Sequence, residues 1–127
     1  MRGASAIQKV LSRNPDAKVS VFATWEPILL TDWSKPGQSV LNRIADSRVK
    51  QLWDPQHLLA TQLAKDARPP QPAPECCTRD GILWDLVAVY PPDAVWREAI
   101  PPAALFNGAV VEQEAAIEAA LRKLQQH

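Results

Sequence analysis

Lys18–Trp25, "KVSVFATW", sets the architecture expected of this chain. Val19, Val21, Phe22 and Ala23 leave only Ser20 polar between positions 19 and 23. Branched and aromatic side chains suit extended backbone, and a strand with one wet face would alternate apolar with polar residues instead of crowding the apolar ones together. The run therefore reads as a strand covered on both faces, entering the centre of a sheet at Val19. The residues after it, "WEPILLTDWSKPGQS" (25–39), carry two prolines, a glycine and two tryptophans, a mixture that favours a loop with apolar anchors.

Upstream, Ala4–Ser12 sets Ile7, Val10 and Leu11 at helical spacing, and Asn14-Pro15-Asp16 stops that helix. Downstream, Ser39–Asp54 keeps Val40, Leu41, Ile44, Arg48, Val49, Leu52 and Trp53 near helical spacing, which predicts one interrupted helix, or two with Asp46 capping the second. Asp54-Pro55 reads as an N-cap followed by proline at the first helical position, opening a helix with Leu58, Leu59 and Leu63 on one face and His57 on its surface. Four prolines between Pro69 and Pro74 end that helix and make a stiff connector. Leu83–Tyr90 suits a strand, although Leu83, Trp84, Leu86, Val87 and Tyr90 also match a helix. Asn107-Gly108 between "AALF" and "AVV" predicts a hairpin of two antiparallel strands. The last segment sets Ala116, Ile117, Ala120, Leu121 and Leu124 in one stripe, with acids early and Arg122-Lys123 late, the pattern of an amphipathic helix.

A chain of 127 residues fits one domain, 1–127, and 46% apolar with 22% charged residues is ordinary for a globular protein with a real core. Fourteen basic side chains balance fourteen acidic ones without a basic run, so nucleic acid is not an expected partner. No apolar run approaches the roughly 20 residues that span a bilayer. The start also lacks the apolar core of a secretory signal, which makes a cytoplasmic location the expectation. Two cysteines are too few for a secreted disulfide framework.

Helix, buried strand, tryptophan loop, helices, strand, hairpin and terminal helix, in that order, resemble the thioredoxin-like fold over nearly the whole chain. Two stretches carry the likeness. "VSVFATWEPIL" (19–29) is similar to that family's central strand running into its active-site loop, with Trp25 where the family's tryptophan precedes its Cys-x-x-Cys motif. "IPPAALFNGAVV" (100–111) is similar to the family's Ile-Pro strand, hairpin and glycine turn, which puts Pro101, or Pro102 after a one-residue slip, at the family's cis-proline. The resemblance implies an α/β fold: a central mixed sheet flanked by helices and finished by a C-terminal β-hairpin and helix. One departure stands out. Where the family has its two cysteines this chain has Glu26, Pro27, Ile28 and Leu29, so dithiol exchange cannot run at that place. Trp25, Glu26, Pro27, Asp32 and Trp33, with Pro101, remain a candidate binding surface. Glu26 is either a general base or ligand, or, like Asp32, a cap for backbone donors among packed tryptophans.

The chemistry expected here centres instead on Cys76 and Cys77, the only cysteines, side by side in "PAPECCTRDG". As a redox device, adjacent cysteines close a ring whose α-carbons, about 3.8 Å apart, fall short of the roughly 4.4 to 6.8 Å that ordinary disulfides span, so the bond is easily reduced. As a soft-metal site they lack further cysteine or paired histidine ligands, with only His57, Glu75 or Asp80 to be brought in by folding. As plain structure they are two small hydrophobes. If Leu83–Tyr90 is a strand, the pair lies at its amino end, roughly 25 Å from Glu26 at about 3.3 Å per residue. Five tryptophans, several beside a carboxylate, fit either an aromatic-walled pocket or a core with satisfied indoles. Neither a nucleotide-binding glycine loop nor a hydrolase serine elbow occurs. The resulting expectation is a thiol/disulfide redox protein working through Cys76 and Cys77 with an unidentified protein or thiol partner, as a monomer or weak dimer. It needs no cofactor or resident metal. The competing expectation is a non-catalytic module that binds through the Trp25–Trp33 loop.

Overall fold

A computed structural model describes residues 2–27 and 34–126. Its class is mixed α/β, as expected. The opening amphipathic stretch forms α1 (Arg2–Arg13) and buries Ala6, Val10 and Leu11. Strand β1 (Val21–Trp25) pairs in parallel with β2 (Val49–Trp53), Val21 opposite Val49 and Trp25 opposite Trp53. Only one helical turn, α2 (Gln38–Leu41), lies among the described residues between them.

Residues 49–53 were expected to be helical and are a strand. Val49, Gln51 and Trp53 are half-buried while Lys50 and Leu52 are exposed, an alternation of period two that coincides with helical spacing over so short a run. A turn held by Arg48 directs the chain into that strand. The Arg48 guanidinium donates to the carbonyls of Leu11, Asn14 and Ala17 at 2.8–3.0 Å, as a second donor beside the backbone amides of Asn14, Ala17 and Val19 that bond the same oxygens where α1 ends. It also grips both oxygens of Asp46, at 2.9 and 2.7 Å, so Asp46 serves this turn and caps no helix.

That grip has a pH signature. Hydrogen bonds from the Arg48 side chain, then from its backbone N–H, hold the Asp46 carboxyl down to about 2 from an ordinary 3.8. A carboxyl depressed by folding stabilises the native state above its unfolded value, and the contribution is lost as pH falls through the folded one. Asp66, lowered by hydrogen bonds from Gln62 and the Ile100 amide, acts with the same sign. Acid titration followed by circular dichroism is expected to show stability falling between about pH 4 and 2. Asp46→Asn should flatten that fall, and an unchanged acid limb would contradict the pairing.

The strand covered on both faces is not β1, as the sequence suggested, because Phe22 is 65% exposed there. It is β5 (Leu86–Val89) with β6 (Leu105–Gly108), antiparallel, Val89 opposite Leu105 and Leu86 opposite Gly108. Alternation along them feeds two cores. Val87, Val89 and Leu105 pack on Val10 of α1 and on Ile117 and Leu121 of α4 (Glu114–Gln125). Leu86 and Ala88 pack with Phe106, Leu83 and Ile100, together with Leu63 of α3 (Leu58–Asp66).

Asp54 does cap α3, through both oxygens, which accept the Leu58 and Leu59 amides at 2.9 Å each. The helix nevertheless opens at Leu58, so Pro55 precedes it instead of occupying its first position. His57 bridges the two in left-handed backbone, φ 55°. A short hairpin, β3 (Thr78–Arg79) with β4 (Ile82–Leu83), turns at Asp80-Gly81, both at positive φ as such turns require. The hairpin expected at Asn107-Gly108 does not form. Those residues end β6, and Val110–Glu112 continues as a 3₁₀ turn into α4. Among the described residues the strands form three two-stranded sheets, and no helix is long and apolar enough to cross a membrane.

Candidate functional site

The proline connector that delivers the cysteines is anchored by Gln71, a buried residue 6% exposed. Its amide nitrogen donates to the carbonyls of Ile100 and Pro101, and its oxygen accepts the Ala103 N–H at 2.9 Å. Pro101 thus serves as a backbone acceptor. The cis peptides among the described residues are Pro69–Pro70 and Gly108–Ala109, so neither Pro101 nor Pro102 occupies the cis position that the resemblance implied.

Beyond the connector the Glu75 N–H donates to Asn107 Oδ1 at 2.8 Å, and the Cys77 carbonyl accepts the Trp84 N–H at 2.9 Å. These bonds hold Cys76 and Cys77 from both sides. The two are joined as a disulfide, with α-carbons 3.7 Å apart and Cys77 in left-handed backbone at φ 78°. Both are half-buried. Gly108 forms the floor beneath them. A Cβ there would lie 3.1 Å from Cys77 Sγ and 3.3 Å from Cys76 Sγ, and would run into the carbonyl oxygen of Asp85. This explains the failed hairpin: Asn107 and Gly108 serve as an acceptor and an empty space for the cysteine segment. A lone glycine within a strand pattern is itself a signal of close backbone approach.

The candidate binding surface is built differently. The Trp25 indole N–H donates to Gln51 Oε1 at 2.9 Å across the parallel pair. Glu26 Oε2 lies 3.1 Å from His57 Nδ1, so His57 is a paired residue before α3 and not a free residue on its surface. Burial raises the Glu26 carboxyl above its ordinary value, opposed by the His57 hydrogen bond and reinforced by the nearby Asp54. Pro27 follows, half-buried. Asp32 and Trp33 lie outside the described residues. The groups that hold the cysteines and those that hold Glu26 share no residue. Sequence reading missed Gln71, Asn107, Gly108 and His57 as partners, because each meets its counterpart across about thirty positions.

Chemically, the disulfide can accept two electrons and two protons, and the Glu26–His57 pair can move a proton. Among the described residues no group of three or more histidine, cysteine or acidic side chains is placed to hold a metal ion. No family model matches the chain, and comparisons with curated proteins and with solved structures return no match.

Proposed function

We propose that this protein is a thiol/disulfide redox protein whose working group is the Cys76–Cys77 bond. The observation that carries the proposal is the disulfide itself, half-buried against Gly108, where a Cβ would crowd both sulfurs and run into the Asp85 carbonyl. A thiolate of a partner protein, or of a small thiol, attacks one sulfur and forms a mixed disulfide while the other leaves as a thiolate. A second thiol of the same partner class then releases the partner as its own disulfide. Two electrons and, after protonation, two protons reside on Cys76 and Cys77, and the reverse sequence oxidises them.

The proposal takes the scaffold as thioredoxin-like. A parallel strand pair with a helical turn between its members, then α3, an antiparallel pair and α4, is the chain order that supports this reading.

Thiol titration tests it. The purified protein is expected to show no reactive thiol, to gain two after dithiothreitol treatment and removal, and to lose both again under oxidised glutathione. Cys77→Ser should keep one thiol throughout. A folded protein whose bond resists dithiothreitol, or whose thiols ignore oxidised glutathione, would sink the proposal.

A further inference from the structure

Open α/β folds place functional groups at the carboxyl ends of parallel strands, and here that end holds a carboxylate–imidazole pair. Glu26 directly follows β1, and His57 stands between the end of β2 at Trp53 and the start of α3 at Leu58. The carboxylate side chain is 13% exposed and the imidazole 25%. His57 reaches its partner from left-handed backbone, a conformation that non-glycine residues adopt at a cost and that gathers at functional sites. Asp54 also faces Glu26, but both of its oxygens are committed to the Leu58 and Leu59 amides. It therefore repels Glu26 without competing for the ring.

We infer that His57, oriented by Glu26, is a general base that takes a proton at Nε2 from a hydroxyl group, that of water or of a small alcohol, at the carboxyl ends of β1 and β2. An ionised Glu26 accepts the Nδ1–H, and the tautomer so fixed leaves the Nε2 lone pair available. Among the described residues no hydrogen bond occupies Nε2. When the hydroxyl proton moves to Nε2, the ring becomes an imidazolium beside an opposite charge, which stabilises it. The hydroxyl oxygen keeps the electron pair and adds to an electrophile. With an ester, the departing oxygen recovers the proton from Nε2 and the ring returns to its starting state. This site shares no residue with the disulfide and stands apart from the redox proposal.

The probe is 4-nitrophenyl acetate hydrolysed by the full chain. His57→Asn is the informative variant, since asparagine tolerates left-handed backbone. The rate is expected to fall about tenfold or more, a conservative share of what general-base catalysis contributes, while His127→Asn, at the only other histidine, leaves it unchanged. Glu26→Gln tests positioning through nitrogen chemical shifts: His57 should be the Nδ1–H tautomer in the wild type and shift toward Nε2–H in the variant. With glycerol present, acetylated glycerol beside acetate identifies an alcohol as proton source, and acetate alone identifies water; either supports the inference. An undiminished rate in His57→Asn, or an Nε2–H tautomer in the wild type, overturns it, and the second readout needs no variant that folds.

Discussion

Gly108→Ala is expected to lower the unfolding free energy by about 3 kcal/mol, the upper end of what one added methyl group does in a packed site, and the melting temperature by roughly 10 °C for a chain of this size. The added carbon meets three things that cannot all yield. Two are the sulfurs at 3.1 and 3.3 Å, held by the bond between them, and the third is the backbone oxygen of Asp85. Asp85 is itself in left-handed backbone, φ 50°, at the step between β4 and β5, which restricts where that oxygen can go. Replacing both cysteines by alanine removes two of the three obstacles. Gly108→Ala in that background should therefore be destabilised somewhat less, by about 2 kcal/mol, because the Asp85 oxygen, the nearest of the three, stays in place. Thermal melts of the four proteins, oxidised and reduced, make the comparison. Equal losses in both backgrounds would assign the restriction to Asp85 alone and remove the sulfurs from the argument.

Arg48→Met should cost about 3 kcal/mol, read as a lower urea midpoint at unchanged slope. Methionine keeps the unbranched apolar stem of the side chain and removes every donor. The carbonyls of Leu11, Asn14 and Ala17 then keep only their backbone donors and lose the guanidinium, and Asp46 loses its counter-charge, in a place where the arginine side chain is 18% exposed and Asp46 14%. Arg48→Lys should recover little, because a single ammonium cannot reproduce the fork that reaches three carbonyls and a carboxylate at once. Arg13 provides the contrast. It pairs with Glu114 and Glu118 but is 51% exposed, and pairs so open to solvent contribute little. A midpoint in Arg48→Met equal to the wild type would show that water satisfies those carbonyls as well as the guanidinium does.

What could be read from the sequence divides along the range of the forces involved. The stripes of α1 and α4 were legible because burial of one helix face is written within a few turns, as in Ile117, Ala120 and Leu121, whereas α3 departs from its expected face, burying Ala60 and Asp66 and leaving Leu58 69% exposed. The Cys76–Cys77 bond joins neighbours in sequence, so adjacency alone makes it a candidate. Val49–Trp53 was misread because five residues satisfy both periods, and pairing with Val21–Trp25, far away in sequence, makes the choice. Asp80-Gly81 and Asn107-Gly108 carry the same local signal. Only the first turns a hairpin, because Gly108 answers to the sulfurs and Asn107 to the Glu75 amide, 32 positions upstream. The strand entered at Val19 was expected at the centre of the sheet, yet β1 and its partner β2 leave Phe22 and Leu52 exposed, a balance of burial that no local pattern encodes.

Helix α1 completes its core with Ile117 and Leu121, and Arg13 reaches Glu114 across 101 residues. At synthesis rates of about 5–20 residues per second, that separation leaves Ile7, Val10 and Leu11 waiting roughly 5–20 s on the ribosome before their native cover emerges. Over that interval the nascent chain carries an uncovered amphipathic helix. It is a surface a chaperone would hold in that interval, and one through which partly made copies would stick together.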